Sequence, residues 1–232
     1  MKWAYGITTV PSREFTYLPK TIESLKNAGF DCPTLFVDGN EGTMEKSFPH
    51  LPVVRRHSTI EAFGNWFLSL AELWVRYPHY DRYAIFQDDF VTCKNLKDYL
   101  DRCELPDNIY WNMLTFPQNE ELSGGRVGWY PSNQRGRGAV ALAFSRKLVF
   151  RILTSHVILA KPSAERAPTA NIDGTLVTAM QQINVAECVH SPSLVWHTGD
   201  DSAIGNPQHA KCGSFQGEDF DMSTFDACPL HI

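Results

Sequence analysis

Short unbroken apolar runs alternate along this chain with longer stretches whose apolar residues recur every three or four positions. Residues 3–9, 34–37 and 83–86 are of the first kind. Such runs, lacking polar alternation, predict strands buried on both faces of a sheet. Residues 18–29 are of the second kind: Leu18, Ile22 and Leu25 share a face, Pro19 suits a first helical turn and Gly29 a helix end. Residues 63–75 predict a strongly apolar helix. The opening order is therefore strand, loop, helix, strand, which predicts parallel pairing through a right-handed crossover. Further on, the pattern predicts a short strand at 51–55, a helix at 96–103, a strand at 110–116, a strand at 139–144 and a helix at 146–154. A helix at 172–180 and a strand at 185–189 follow. Gly124, Gly125, Gly128, Pro131 and Gly136, with Gly138 just beyond, mark 119–137 as a long loop or twisted hairpin. Residues 161–169 read as a second loop. The tail from Gly213 is acidic and aromatic and reads as a surface segment.

Composition changes this picture little. At 232 residues with 43% hydrophobic and 20% charged side chains, the chain is sized and composed as one globular domain. Its net charge of −5 does not advertise nucleic-acid binding, although a local basic patch is compatible with it. The 6 cysteines form no Cys-x-x-Cys pair and no zinc-like spacing. With no apolar leader at the N-terminus and no run of about 18 apolar residues, the expectation is a reducing, cytoplasmic setting.

The candidate chemistry gathers where the 83–86 strand runs through Gln87 into Asp88 and Asp89. In an open α/β sheet, ligands bind beyond the carboxyl ends of the strands. Two adjacent carboxylates repel and resist desolvation, so they call for a hard cation such as Mg2+ or Mn2+, or else for solvent. The landmarks around this pair form an ordered series: Thr8, Thr9, Val10, Pro11, Ser12, Arg13 after the first strand; Asp38 and Gly39 after the second; Gln87, Asp88, Asp89; and a late segment from Pro192 through His197 to Gly199.

In that order they resemble nucleotide-sugar-dependent glycosyltransferases of the GT-A fold, family-2-like, over roughly residues 3–207. The resemblance implies an α/β fold: a single GT-A-like domain over 1–232 with a mixed, mostly parallel central sheet flanked by helices. Residues 1–117 would form the nucleotide-binding half, 118–211 the acceptor and metal half, and 212–232 a C-terminal tail. It implies a donor, a nucleoside-diphosphate sugar of uridine, held by Thr8, Pro11, Arg13, Asp38, Asn65, Gln87 and Asp88. It implies Mn2+ or Mg2+ on Asp89 and His197, with Asp88 on the ribose or the same ion. Gln87 departs from the family's usual Asp or Glu at the first position of the acidic motif. The residues alone read more blandly: His197 as a satisfied histidine under a loop, Arg13 as a solvated loop arginine, Asn65 as a helix cap.

An acceptor hydroxyl needs a base, and Asp173 at the start of the 172–180 helix is the candidate, with an ordinary N-cap as its alternative. Trp129 and Tyr130, with Arg126, Arg135 and Arg137, make the glycine-rich loop the candidate acceptor or lid element. Stacking rings beside arginines also admit a hydroxymethylated pyrimidine in DNA as acceptor, besides a glycan or small molecule. Two rivals remain: a nucleotidyltransferase, whose glycine-rich, lysine-bearing phosphate loop is absent at Pro11, Ser12 and Arg13, and a non-catalytic nucleotide- or carbohydrate-binding domain.

Overall fold

The computed structural model describes residues 1–160, 172–199, 212–225 and 229–231. Its centre is an eight-stranded sheet in the order β3-β2-β1-β4-β8-β6-β9-β7, accompanied by a two-stranded sheet, β10-β5. The strands are β1 (Trp3–Thr9), β2 (Thr34–Val37), β3 (Val53–Arg55), β4 (Arg82–Gln87), β5 (Phe90–Thr92), β6 (Ile109–Asn112), β7 (Gly128–Pro131), β8 (Ala141–Ser145), β9 (Ala186–Ser191) and β10 (Val195–His197). The first four members of the large sheet are parallel, β8 runs against β4 and β6, β6 and β9 are parallel, and β7 closes the edge antiparallel to β9.

The parallel half forms because its strands are apolar on both faces. Along β4, Tyr83 and Ile85 enter one core cluster while Ala84 and Phe86 enter the other, so successive side chains serve opposite layers. On one side α1 (Leu18–Asn27) buries Leu18 and Leu25. On the other, α3 (Glu61–Arg76) buries Trp66, Leu70 and Leu73. Further helices are α2 (Met44–Ser47), α4 (Leu96–Arg102), α5 (Pro117–Leu122), α6 (Arg146–Leu153), α7 (His156–Leu159) and α8 (Ile172–Gln181).

The predicted 110–116 strand ends at Asn112, where the Asn112 side chain accepts the Leu114 amide at 3.1 Å and turns the chain. The predicted 119–137 loop contains most of α5 and all of β7. Glycine content marks it as irregular, but β7 finds its hydrogen bonds on β9, Trp129 opposite His190 and Tyr130 opposite Val189. The expected loop at 161–169 lies outside the described residues. Among the described residues no helix is long and apolar enough to cross a membrane.

The described part of the tail is fastened to α4. Arg102 donates to the carbonyls of Met222, Ser223 and Phe225 at 3.0–3.1 Å, and Met222 is buried. Phe225 also meets the ring of His190, which packs edge-on to Tyr99 and Trp129. His190 Nδ1 lies 2.6 Å from the Pro192 carbonyl and so must carry the proton; Nε2 then accepts from the Tyr99 hydroxyl at 2.6 Å. Burial lowers the pKa of this ring from 6.5 to about 4. Between those values the unfolded chain binds a proton that the folded protein refuses, so the stability contributed by the neutral ring is complete above pH 6.5 and lost as pH falls toward 4. Denaturant titrations should show about 1.5 kcal/mol less stability at pH 5 than at pH 6.5 from this residue. His190→Gln should remove that slope.

Candidate functional site

The site starts from the position of β4, which lies beside β1 in the parallel half, with Gln87 in register with Thr8. Asp88 and Asp89 follow directly, at the carboxyl edge where α/β sheets bind ligands. Both are buried, each 7% exposed. The turn carrying them is braced by α1: the Thr21 hydroxyl lies 2.8 Å from the Asp88 carbonyl and accepts the Phe90 amide at 3.2 Å. The Ser24 hydroxyl accepts the Thr92 amide at 2.8 Å.

The two carboxylates meet different surroundings. Asp88 accepts the Thr9 hydroxyl at 2.5 Å, and burial together with the neighbouring Asp89 charge raises its pKa to about 6. Burial acts against Asp89 too, but contacts with His197 and Arg13 outweigh it and hold that carboxylate below its ordinary range. Arg13 Nη1 lies 3.2 Å from Asp89 Oδ2 and 3.8 Å from Asp88 Oδ1. It comes from a short 3-10 turn, Pro11–Arg13, separated from β1 only by Val10. Arg13 is therefore a buried ion-pair partner, not a solvated loop arginine.

His197 arrives from far along the chain. Strand β10 pairs with β5, putting His197 opposite Phe90, and the Thr198 amide donates to the Asp89 carbonyl at 2.8 Å. His197 Nε2 then stands 3.2 Å from Asp89 Oδ1. That oxygen is buried and makes no well-formed hydrogen bond among the described residues. Two ligands about 2.1 Å from an octahedral ion and at right angles to each other lie about 3 Å apart, so this carboxylate–imidazole spacing fits a shared divalent ion. No group of three or more His, Cys, Asp or Glu side chains among the described residues could hold an ion alone. Such an ion would take its remaining ligands from water and substrate oxygens. Behind the pair lies Gly199, where a Cβ would stand 2.7 Å from Asp89 Oδ2 and 3.2 Å from His197 Cε1. Only a bare backbone fits there.

The other expected donor contacts divide. Asp38, at the end of β2, is buried; its amide binds the Thr9 carbonyl and its carboxylate accepts the Ile60 amide at 2.8 Å, just before α3. Thr8 sits at the β1 edge, its hydroxyl donating to the Phe86 carbonyl at 3.2 Å. Pro11 packs under the Asp38–Gly42 turn, 3.4 Å from the Cβ position of Gly39. Asn65 must be corrected. The helix starts earlier than predicted, at Glu61, and Asn65 is 1% exposed. Its amide donates to the Phe36 carbonyl at 2.8 Å and its oxygen accepts from Arg56 at 2.9 Å, so it neither caps the helix nor reaches a donor.

Asp173 joins the same edge by an indirect route. The Gln87 amide binds the Val140 carbonyl at 2.8 Å, so the residues before β8 run alongside the end of β4. Asp173 Oδ2 accepts the Gly138 amide at 2.7 Å. Burial raises the Asp173 pKa, with the amide bonds acting against it. Gly136, at φ +62°, passes so close that a Cβ would lie 2.4 Å from the Asp173 carbonyl. Trp129 and Tyr130 require a second correction: both are fully buried, Trp129 stacked on Trp111 at 4.5 Å and the Tyr130 hydroxyl donating to the Asn119 carbonyl at 2.8 Å. Neither offers a ring face to an acceptor. Arg135 and Arg137 are exposed.

Glu187 went unnoticed in the sequence, though a lone carboxylate inside the apolar 185–189 run was its signal. It is 1% exposed and accepts from Tyr110, Asn112 and Ser132 at 3.1, 3.2 and 2.6 Å, burial raising its pKa. Gln134 bonds the Glu187 backbone in both directions, at 2.7 and 2.9 Å. The loop 132–138 is thus held at one end by Glu187 and at the other by Asp173.

No family model and no curated protein matches the sequence. Solved structures do. GalNAc-T7, in a structure with UDP, GalNAc and Mn2+, superposes with a TM-score of 0.63 over 88% of this chain at 11% identity. This chain spans 45% of the length of that protein. A nucleotidyl transferase from Methanothermobacter thermautotroptrophicus (Mth528) aligns over 81% of this chain and 88% of its own at 15% identity, but its TM-score of 0.47 does not define a shared fold. The domain is GT-A-like: a mixed sheet, parallel through its first four neighbours, flanked by helices.

The close approach at Gly199 is testable. Gly199→Ala should destabilise the protein by about 1–3 kcal/mol as the overpacked carboxylate and imidazole shift. A fall in melting temperature of at least about 2 °C checks it; an unchanged melting temperature would mean that residue 199 does not press on Asp89.

Proposed function

We propose that this chain is a metal-dependent glycosyltransferase that moves a sugar from a uridine diphosphate donor to a hydroxyl acceptor. The observation that carries the reading is the Asp89–His197 pair, 3.2 Å apart at the carboxyl end of β4, with a buried carboxylate oxygen that has no well-formed hydrogen bond among the described residues. Asp89 and His197 would hold Mn2+ or Mg2+, and the ion would act as a Lewis acid on the leaving diphosphate. The fold shared with GalNAc-T7, described with UDP, GalNAc and Mn2+, supports this choice of donor and metal.

The chain's own residues supply the rest. Asp88, held by the Thr9 hydroxyl, faces the ribose. Thr8, Pro11, Asp38 and Gln87 lie at the ends of the strands that would frame the nucleoside. Arg13 carries the positive charge that a diphosphate needs at this edge. Asp173 takes the proton of the acceptor hydroxyl; it can do so because one oxygen is oriented by the Gly138 amide while burial keeps its proton affinity high. Direct displacement with inversion follows from a base in that role. Arg135 and Arg137, exposed on a loop held by Glu187 and Asp173, favour an acceptor with anionic groups. A hydroxymethylated pyrimidine in DNA retains that electrostatic support but has lost the stacking rings.

Two outcomes test the reading. UDP should raise the melting temperature only when Mn2+ is present, and the shift should vanish in Asp89→Ala and in His197→Ala. No shift with any nucleoside diphosphate plus metal would sink it. Asp173→Asn should lower kcat by about 10²–10⁴-fold with the Mn2+-dependent UDP shift intact; full activity in that variant would remove Asp173 as the base.

A further inference from the structure

Asp89 offers its two oxygens to two different partners. Oδ2 faces Arg13 Nη1 at 3.2 Å, while Oδ1 faces His197 Nε2 at 3.2 Å. Arg13 is itself deeply placed: 6% exposed, 3.8 Å from Asp88 Oδ1, and with its guanidinium 4.4 Å from the centre of the Tyr17 ring. A divalent ion arriving between Asp89 Oδ1 and His197 would share one carboxylate with this guanidinium. Like charges so close in a site shielded from water repel strongly. A diphosphate removes the conflict. It brings enough negative charge for both cations, and a guanidinium matches phosphate oxygens in geometry.

We propose that Arg13 is the resident counter-cation of the carboxylate pair and passes to the donor's diphosphate as the divalent ion comes onto Asp89 and His197. Metal and nucleotide then bind as a coupled pair, each tightening the other by the same factor. Ordered loading follows: the protein takes up free metal poorly and becomes charged with it only together with its donor. This inference rests on the transferase reading and adds to it the means by which metal binding is tied to donor binding.

The test is an equilibrium-dialysis titration of the full chain with Mn2+, alone and with saturating UDP, GDP, ADP or CDP, protein-bound ion being taken as the excess of Mn2+ on the protein side over the same nucleotide solution without protein. Wild type should bind Mn2+ weakly alone and about tenfold or more tightly with the matching diphosphate. Arg13→Met should bind Mn2+ alone about tenfold more tightly than wild type and show a correspondingly smaller coupling, the part that remains coming from direct contact between ion and diphosphate. Its melting temperature, lowered by two carboxylates without their arginine, should recover with Mn2+ alone. If Arg13→Met does not fold, the same titration is read on Arg13→Gln, and on Arg13→Lys, which retains the charge and should keep free-metal binding weak. Neutral variants that bind free Mn2+ no more tightly than wild type, with the wild-type coupling intact, would overturn the exchange and leave the transferase reading standing. No Mn2+ binding by any of these proteins, with or without a diphosphate, would overturn both.

Discussion

Two adjacent carboxylates, each 7% exposed, sit at the end of a strand beside the middle of the sheet. Burying one charge is costly and burying two of the same sign is more so, unless partners surround them. Much of the local architecture supplies those partners. The turn after β1 delivers Arg13, β1 itself delivers Thr9 and the β5–β10 pairing delivers His197, while Thr21 on the inner face of α1 braces the backbone that carries the pair. Thr9, Arg13 and Thr21 come from one stretch near the start of the chain and His197 from near its end, and none is a local neighbour of the pair it serves. The unequal result, one carboxyl pushed up to about 6 and one held low, follows from unequal partners. Asp89 has the arginine and the histidine at close range, whereas Asp88 has a hydroxyl and a more distant arginine.

The sheet order gives this cluster its setting. Parallel strands β1, β2, β3 and β4 bring their carboxyl ends to one edge, so the chain leaving each strand contributes to one surface. The antiparallel β8 has the opposite effect: the residues entering it, 138–140, run alongside that edge and carry the Asp173 contact with them. The glycine-rich loop before β8 is therefore not a free lid. Buried Glu187 and half-buried Gln134 and Asp173 hold it, while Arg135 and Arg137 project from a constrained backbone. A fixed backbone lowers the ordering cost of any anion those arginines meet.

Much of the fold was legible in the sequence. The runs at 3–9, 34–37 and 83–86 and the parallel crossover between the first two strands are as the pattern predicts, and the amphipathic helix predicted over 18–29 runs from Leu18 to Asn27. Hydrophobic periodicity reports how a segment meets water, and that is local information. The Asp88, Asp89 pair was visible for the same reason, since polar residues directly after an apolar run mark a strand end. What remained hidden depended on which segments become neighbours. Thr21 and Ser24 read as ordinary helix positions, yet their partners lie 67–69 residues away. Gly199 shows its role only beside Asp89, and Glu187 only beside Tyr110, Asn112 and Ser132.

The misreadings have the same origin. Trp129 and Tyr130, placed among glycines, have the composition of an exposed binding loop; pairing with β9 turns them into core. Asn65 near a helix start has the chemistry of a cap, but the packing of α3 on β2 buries it between Phe36 and Arg56. Sequence alone determined the apolar parallel strands at 3–9, 34–37 and 83–86, the principal helices and the carboxylate pair, because propensity and periodicity act over a few residues. Tertiary structure alone decided which side chains neutralise that pair and which aromatic rings see solvent. Those outcomes depend on contacts spanning tens of residues, which no local pattern encodes.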